Sequence, residues 1–589
     1  MSVHTPARAA AALAAAAGLS MALGPAPAWG SCKVQSMELP VTMSGTRPIT
    51  TVGINGQEVK LLVDSGAFYS SLTDALATEL QLPLRYLPFG MRVDGITGEM
   101  EAQQTTVKRL QFVGGELKDI SFVVGGNEPG NGARGLLGRN LLSYTDTEYD
   151  LAHGSVKLMV PNSDCGDASM AYWAGETPVS VAPLQRESHD KLPAIKSTAT
   201  LNGKSVKVLF DTGATSVLSL AAARRAGIAA DAMKPAGHIS GAGRGRAKAW
   251  VAPVDSFELG GERITNSRVM VGDVDLKDVD MLIGVDFFLS HRIYVAKAQR
   301  KVYFTYHGGP VFALNMVDKA DAREGPAADE PPLEDAAAYA RRGAAAAARR
   351  DHPRALADLD RACALEPTVA RHFTLRGTVH SALGQTAEAM KDFDTALGLD
   401  PADTEARLWR ARLRVARRDR EAALDDLKAL DRGVSAQAHE RRDIAQLYAR
   451  LDLYDLALPQ LNAWISARPN EARLHEALNE RCWARAMLGA ELDLALADCH
   501  AAVKADPDNP SYLDSRAWVR LRQGRPQDAV ADYDRALKAR PEQAWSLFGR
   551  GIARLRMGEQ ATGQADIDAA RKLRPTIDQE AGRHGITVP

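Results

Sequence analysis

Residues 54–67 read INGQEVKLLVDSGA: a polar Asn-Gly pair, mixed positions, then an unbroken apolar run closed by an acid. Residues 201–214 repeat the pattern as LNGKSVKVLFDTGA, without a gap, setting Asn55-Gly56 over Asn202-Gly203 and Asp64 over Asp211. Asn-Gly predicts a tight hairpin turn. The runs at 61–63 and 208–210 predict buried strands. The correspondence continues downstream. Gly-rich turns follow each acid at 93–100 and 238–247, and Gly-Gly hairpins follow at 111–124 and 258–271. Then GLLGRNLL at 135–142 matches MLIGVDFF at 281–288, so that Asp64 precedes Gly138 by 74 residues and Asp211 precedes Gly284 by 73. Short apolar or alternating runs broken by Gly turns predict a mostly β lobe. It occurs twice, at 38–160 and 191–308. Residues 161–190 show no periodicity and are expected to be a linker.

From about residue 333 the period changes. Prolines recur at Pro367, Pro401, Pro469, Pro507, Pro541 and Pro575, most spaced by 34 or 68 residues, with one gap of 38. Within 510–541 the landmarks are Leu513, Ala517, Gly524, Ala529, Tyr533, Ala536 and Pro541; Phe373, Gly377, Gly384, Ala389, Phe393, Ala396 and Pro401 repeat them in 370–401. This pattern resembles the tetratricopeptide repeat, two antiparallel helices per unit. Small residues let the helices approach, the aromatic fills the gap and proline ends the second helix. About seven repeats are expected over 333–575, with a cap at 576–589. Ser435 replaces the proline of the third, Trp464 stands where Ala is usual in the fourth, and the fifth carries an insertion. An acidic, Pro-rich linker, 309–332, is expected to join this all-α solenoid to the lobes.

Composition adds compartment and excludes some partners. His4 and Arg8 precede an acid-free apolar stretch at 9–23 and then Pro25-Ala26-Pro27-Ala28. That order predicts an export signal over 1–30, with no stable membrane span after its cleavage and a periplasmic or secreted product. Cys32 invites lipid anchoring, but Trp29 stands where such signals carry an aliphatic residue. A formal net charge of −1 gives no electrostatic case for nucleic acid.

Five cysteines form no metal-spaced cluster, so neither a metal nor a cofactor is expected. Cys32 and Cys165 bracket the first lobe and either close it as a disulfide or are unrelated small residues. Cys482 and Cys499 share one repeat and are expected to be core packing. His153, His238 and His291 have no Ser or Cys partner motif and are read as surface or packing residues. The Arg-rich stretch 407–420 reads as a solvated helix face.

Two Asp-Ser/Thr-Gly-Ala motifs, each followed by an aliphatic-aliphatic-Gly (Leu136-Leu137-Gly138 and Leu282-Ile283-Gly284), resemble the retroviral-type, or retropepsin-like, aspartic proteases over roughly 45–310. The implied architecture is multidomain: tandem all-β acid-protease lobes, then the solenoid. The resemblance implies Asp64 and Asp211 as a catalytic pair sharing one proton and activating a water toward a peptide carbonyl. It implies Ser65, Gly66 and Ala67 with Thr212, Gly213 and Ala214 as supporting loops. Gly95 and Gly98, with Gly241 and Gly243, fall in flaps, and Leu137-Gly138 and Ile283-Gly284 pack beneath the pair. Phe68 and Tyr69 depart from the small or polar residues usual after the motif and either crowd the pair or line a pocket.

The expected protein is an exported aspartic endopeptidase acting on protein or peptide substrates, with the solenoid's concave face holding a protein partner. The alternatives are a non-catalytic adaptor that keeps the fold for peptide capture, and lobes that pair between chains.

Overall fold

The computed structural model describes residues 32–166, 168–185, 193–241, 243, 245–312, 333 and 335–589. The expected export signal lies outside these residues, as do positions 313–332 of the acidic linker. The described chain forms two compact units, one running to Pro401 and one from Ala402.

In the first unit each repeated segment builds one twisted sheet. The strands Arg47–Ile54 and Gln57–Val63 form a hairpin, as do Lys196–Leu201 and Lys204–Phe210. Both turns carry positive φ at the Asn and the Gly: 52° and 91° at Asn55-Gly56, 48° and 77° at Asn202-Gly203. That is the conformation for which Asn-Gly is selected. The short strands Gly135–Leu137 and Met281–Ile283 then run parallel to the strand leading into each acid. The Gly-Gly hairpins appear as Ala102–Phe112 with Gly115–Gly125, and Ala247–Leu259 with Glu262–Gly272.

A third, six-stranded sheet joins the lobes. Asp146–Asp150 of the first lobe pairs with His291–Ala296 of the second, Thr147 opposite Val295 and Tyr149 opposite Ile293. Both lobes therefore pair within one chain. Glu148, fully buried, accepts from Arg292 Nη2 at 2.7 Å inside this sheet.

The described part of 161–190 is more than the expected linker. Ser180–Pro183 is an edge strand of the six-stranded sheet, and Met170, Ala171 and Ala174 are buried against Cys32, Met159 and Tyr294. Scattered small and apolar residues fill a cavity here without any period, so the sequence pattern gave no sign of it. Cys32 and Cys165 form a disulfide, which ties down the start of the first lobe and engages the Cys32 thiol.

Seven helical hairpins follow among the described residues, from Ala336–Ala348 with His352–Leu365 to Ala544–Arg556 with Gln560–Leu573. Two belong to the first unit and five to the second. The small-residue landmarks act by close approach: a Cβ added at Gly377 would lie 2.7 Å from the ring of Phe393. Helix Ala336–Ala348 shares the core of the β lobes, and Arg349 Nη1 donates to the Leu289 carbonyl at 3.1 Å.

A second periodic device runs through the hairpins. Arg342, Arg376, Arg410, Arg516 and Arg550 each reach a buried Asp sixteen residues on in the facing helix, the Nη2 of each lying 2.6–2.7 Å from its acid. Arg414 adds a second contact to Asp426 at 2.7 Å. Three arginines of the 407–420 stretch, Arg407, Arg410 and Arg414, are thus paired with Asp426 across the hairpin and not merely solvated. Cys482 and Cys499 are buried as expected but joined in a disulfide, not packed as separate thiols.

Candidate active site

Asp64 and Asp211 each stand at the C-terminal end of an apolar strand, just past its last paired residue. Their amides donate to the carbonyls of Leu137 (3.0 Å) and Ile283 (2.8 Å), the aliphatic positions of the downstream motifs. Gly138 and Gly284, next in sequence, lie against the loops that follow the acids. A Cβ at Gly138 would fall 2.7 Å from the Tyr69 carbonyl carbon, and one at Gly284 2.3 Å from the Ser216 amide nitrogen. Ser70 Oγ and Ser216 Oγ accept from those glycine amides at 2.9 and 2.8 Å. Leu137-Gly138 and Ile283-Gly284 thus make equivalent contacts with the acid-bearing loops of the two lobes.

Across the lobe boundary the loops interlock. Ser65 N donates to Thr212 Oγ1 and Thr212 N to Ser65 Oγ, both at 3.0 Å. The same hydroxyls donate onward, Ser65 to Phe210 O at 3.0 Å and Thr212 to Val63 O at 2.7 Å. All four bonds are buried, so none is lost to water.

The glycines serve a purpose other than turning the chain. Neither Gly66 nor Gly213 has positive φ. A Cβ at Gly66 would lie 2.4 Å from Cγ of Asp211, and one at Gly213 2.5 Å from Cγ of Asp64. Each glycine vacates the space that the opposite carboxyl occupies.

The two carboxyls face one another but are held unequally. Asp64 Oδ1 accepts from Gly66 N at 2.9 Å and Ala67 N at 2.7 Å. Asp211 Oδ1 accepts from Gly213 N at 2.9 Å. Burial raises the pKa of both, and the like charge of Asp64 adds to the rise at Asp211. Such a pair binds one proton far more tightly than separate carboxyls do and titrates as a unit.

The two glycine-rich segments expected as flaps meet each other across the lobe boundary. In the first lobe Val93–Gly95 and Gly98–Met100 form a hairpin; in the second the tip lies between Lys234–Ile239 and Ala247–Leu259. Gly245 N donates to Thr97 O at 3.0 Å, and Thr97 Oγ1 to Gly243 O at 3.1 Å. Asn127 Nδ2 bonds the Gly241 and Gly243 carbonyls. Ile96 lies beside Gly241 and packs with Leu276 and Val279 of the second lobe.

Phe68 and Tyr69 turn toward each other, with ring centroids 4.6 Å apart. The Arg139 guanidinium sits 5.2 Å from the Phe68 ring. Two groups near the acids were not singled out from sequence. Tyr149 is fully buried; burial and the Asp64 charge push its hydroxyl up. Arg47 Nη1 donates to the Gly213 carbonyl at 2.7 Å. The residue types carry no local signal of this, because both contacts come from distant strands.

The second unit holds a groove of about 700 Å³ among its hairpins, lined in part by Asn479, Glu480, Trp483, Asp514, Gln543 and Trp545. The Trp483 and Trp545 rings meet edge-on at 5.8 Å. Asn479 Oδ1 and Gln543 Oε1 are buried there without a donor among the described residues.

Comparison with known proteins separates the same parts. Residues 197–287 match the family described as aspartyl protease, and 50–144 the one described as gag-polyprotein putative aspartyl protease. Residues 343–414 match the tetratricopeptide repeat family. No curated protein matches the chain. Among solved structures, YrrB, a tetratricopeptide protein with an unusual peptide-binding site, is 19% identical over 32% of this chain and 95% of its own, with a TM-score of 0.29. A tetratricopeptide repeat protein from Parabacteroides merdae is 18% identical over 42% and 96%, with a TM-score of 0.32.

Proposed function

We propose that this chain, a fusion of two retropepsin-like aspartyl-protease lobes with tetratricopeptide repeats, is an aspartic endopeptidase whose Asp64 and Asp211 together hydrolyse a peptide bond. One observation carries the reading: each carboxyl occupies the space left by the other lobe's motif glycine, while the backbone amides of its own loop hold it.

With one proton on the pair, the charged carboxylate takes a proton from a water, whose oxygen attacks the peptide carbonyl. The protonated partner donates to the carbonyl oxygen, giving a tetrahedral diol. Collapse of that diol breaks the C–N bond: the proton taken from water passes to the leaving amine, and a diol hydroxyl returns its proton to the carboxylate that had donated one, restoring the pair. Asp64, with two amide donors against one, is the better site for the negative charge. Ser65 and Thr212 hold the loops in register, and the flap tips around Ile96, Gly98, Gly241 and Gly243 close over substrate and exclude water. Leu137-Gly138 and Ile283-Gly284 serve as the floor.

The two disulfides favour an oxidising compartment, in keeping with export to the periplasm or beyond. Among the described residues no helix is long and apolar enough to cross a membrane. The groove of the second unit, with two Trp rings and two amide oxygens lacking donors, fits a peptide or protein partner.

The test is peptide hydrolysis by the full chain and by Asp64→Asn and Asp211→Asn. Both substitutions are expected to abolish turnover. Full activity in either would refute a shared-proton pair, and peptide binding without turnover in the wild type would point to an adaptor.

A further inference from the structure

The helical hairpins bury seven aspartates among the described residues. Six of them, Asp358, Asp392, Asp426, Asp498, Asp532 and Asp566, accept from an arginine of the facing helix whose Nη2 lies 2.6–2.7 Å away. Asp514 is the exception. It keeps only 4% of its surface open, as little as the paired acids do, yet its carboxyl meets a neutral donor, the Ser546 hydroxyl. No cation of the described chain lies within ion-pair distance of it. A buried carboxyl without a counter-charge is costly, and the other six show how this array normally meets that cost.

Its place in the fold supplies the reason. Asp514 lines the groove of about 700 Å³ in the second unit, together with the Trp483 and Trp545 rings. Asn479 Oδ1 and Gln543 Oε1, on helices to either side, are buried there without a donor. The groove's donors, by contrast, are engaged: Trp483 Nε1 donates to the Tyr454 hydroxyl at 3.2 Å, and Arg574 pairs with Glu580 at 2.7 Å. Of the other acids lining the groove, Glu480 is held by Arg442 at 2.7 Å and Glu542 is exposed. Tyr533 faces Asp514 from the next helix and brings no charge. The groove thus presents acceptors, aromatic faces and one unbalanced carboxyl.

We propose that Asp514 anchors a cationic side chain, lysine or arginine, of a peptide lying in this groove. This rests on the reading of the groove as a peptide site. Either side chain carries its charge on a long apolar stem, which packs along the Trp rings while the head reaches an acid set back from the surface. The indole faces attract the same cation, and its several N–H groups match the idle acceptors. The ligand then supplies the counter-charge that arginines of the chain supply to the other six aspartates. Burial keeps Asp514 protonated up to about pH 7, so the arriving cation displaces that proton to solvent. Binding is therefore tightest above that pH and weakens by roughly tenfold per pH unit below it.

The experiment is fluorescence anisotropy with the full chain carrying Asp64→Asn, so that no probe is cut. The probes are labelled, end-blocked decapeptide mixtures of neutral residues with a fixed central Lys, Arg, Gln or Glu. At pH 8 the Lys and Arg probes are expected to bind at least roughly 10-fold more tightly than the Gln probe, and the Glu probe no better than Gln. The Lys:Gln ratio is expected to approach one by about pH 5. Asp514→Asn keeps the shape and the contact to Ser546; it is expected to bring the ratio near one at every pH while leaving the Gln probe's affinity unchanged. That unchanged affinity shows the groove still folded. Equal binding of the Lys and Gln probes by the parent overturns the anchor and leaves the peptide groove standing, whereas no binding of any probe overturns both. A cationic preference that survives in Asp514→Asn, or one that ignores pH, places the cation on another acid and also overturns the proposal.

Discussion

Thr212 Oγ1 accepts from Ser65 N at 3.0 Å and donates to Val63 O at 2.7 Å, so one fully buried hydroxyl bridges two backbone groups of the opposite lobe. Valine keeps its shape and supplies neither bond. Thr212→Val is therefore expected to leave a buried amide and carbonyl unpaired, at about 1–3 kcal/mol for each. Thr212→Ser retains the hydroxyl and is expected to cost well under half as much. Urea denaturation of the two variants, followed by a probe in the β lobes, checks the order.

Substitution of Gly66 or Gly213 by Ala tests close approach directly. The added methyl would lie 2.4 or 2.5 Å from the opposite carboxyl carbon, and the two acids must part to admit it. Peptide hydrolysis is expected to fall by roughly 100-fold or more, the effect of moving reacting groups by about 1 Å. Gly166→Ala, whose Cβ meets nothing within 4 Å, is the matched control and is expected to have no effect.

The duplicated motif made the two acids legible, because gapless similarity over fourteen residues fixes strand, turn and carboxylate together. The hairpins were legible for the same reason: Asn55-Gly56 and Asn202-Gly203 act locally through φ. Arg47, Tyr149 and the Glu148–Arg292 pair were not, since each acts through a contact more than eighty residues away in sequence. The Arg–Asp ladder was written in the sequence at an offset of sixteen, seventeen for Arg481 and Asp498, but charges on helices read as solvated faces until the facing helix is placed. The Cys482–Cys499 disulfide hid similarly, because a buried thiol fits a core position as well as a half-cystine does.

Acid should loosen the junction between the lobes in two stages. His307 is held neutral by burial, which pulls its pKa down to about 4. The unfolded chain binds that proton more readily, so stability falls as pH drops from about 6.5 toward 4. Asp150, beside His153 and Arg292, is lowered to about 2 despite its burial. Its contribution is intact above about pH 4 and is lost as pH falls through 2, amounting to about 2 kcal/mol. His307→Gln is expected to flatten the upper limb and Asp150→Asn the lower one, as read from thermal midpoints between pH 2 and 7.

The Cys482–Cys499 bridge closes a sequence separation of 17 across one helical hairpin of the second unit. A loop of that size restricts the unfolded chain by about 3 kcal/mol in the entropic account. Replacing both cysteines with Ala is expected to lower the unfolding midpoint of that unit and abolish its response to dithiothreitol. Replacing Cys32 and Cys165 is expected to leave that response intact and to remove the corresponding response of the β lobes.

Asp514 lines the groove of the second unit with its carboxyl fully withdrawn from water, bonded to the Ser546 hydroxyl and facing Tyr533. Burial raises its pKa to about 7. The folded state therefore holds a proton that the unfolded chain releases near pH 4, and stability declines as pH rises between those values. The full difference, about 4 kcal/mol by the size of the shift, is reached above pH 7. Asn keeps the shape and the capacity to accept from Ser546 without the charge. Asp514→Asn is expected to be more stable than the wild type at pH 8 and similar to it at pH 4. Guanidinium denaturation at the two pH values decides; equal pH dependence in both proteins would show that Asp514 is ionised and solvated in the folded chain.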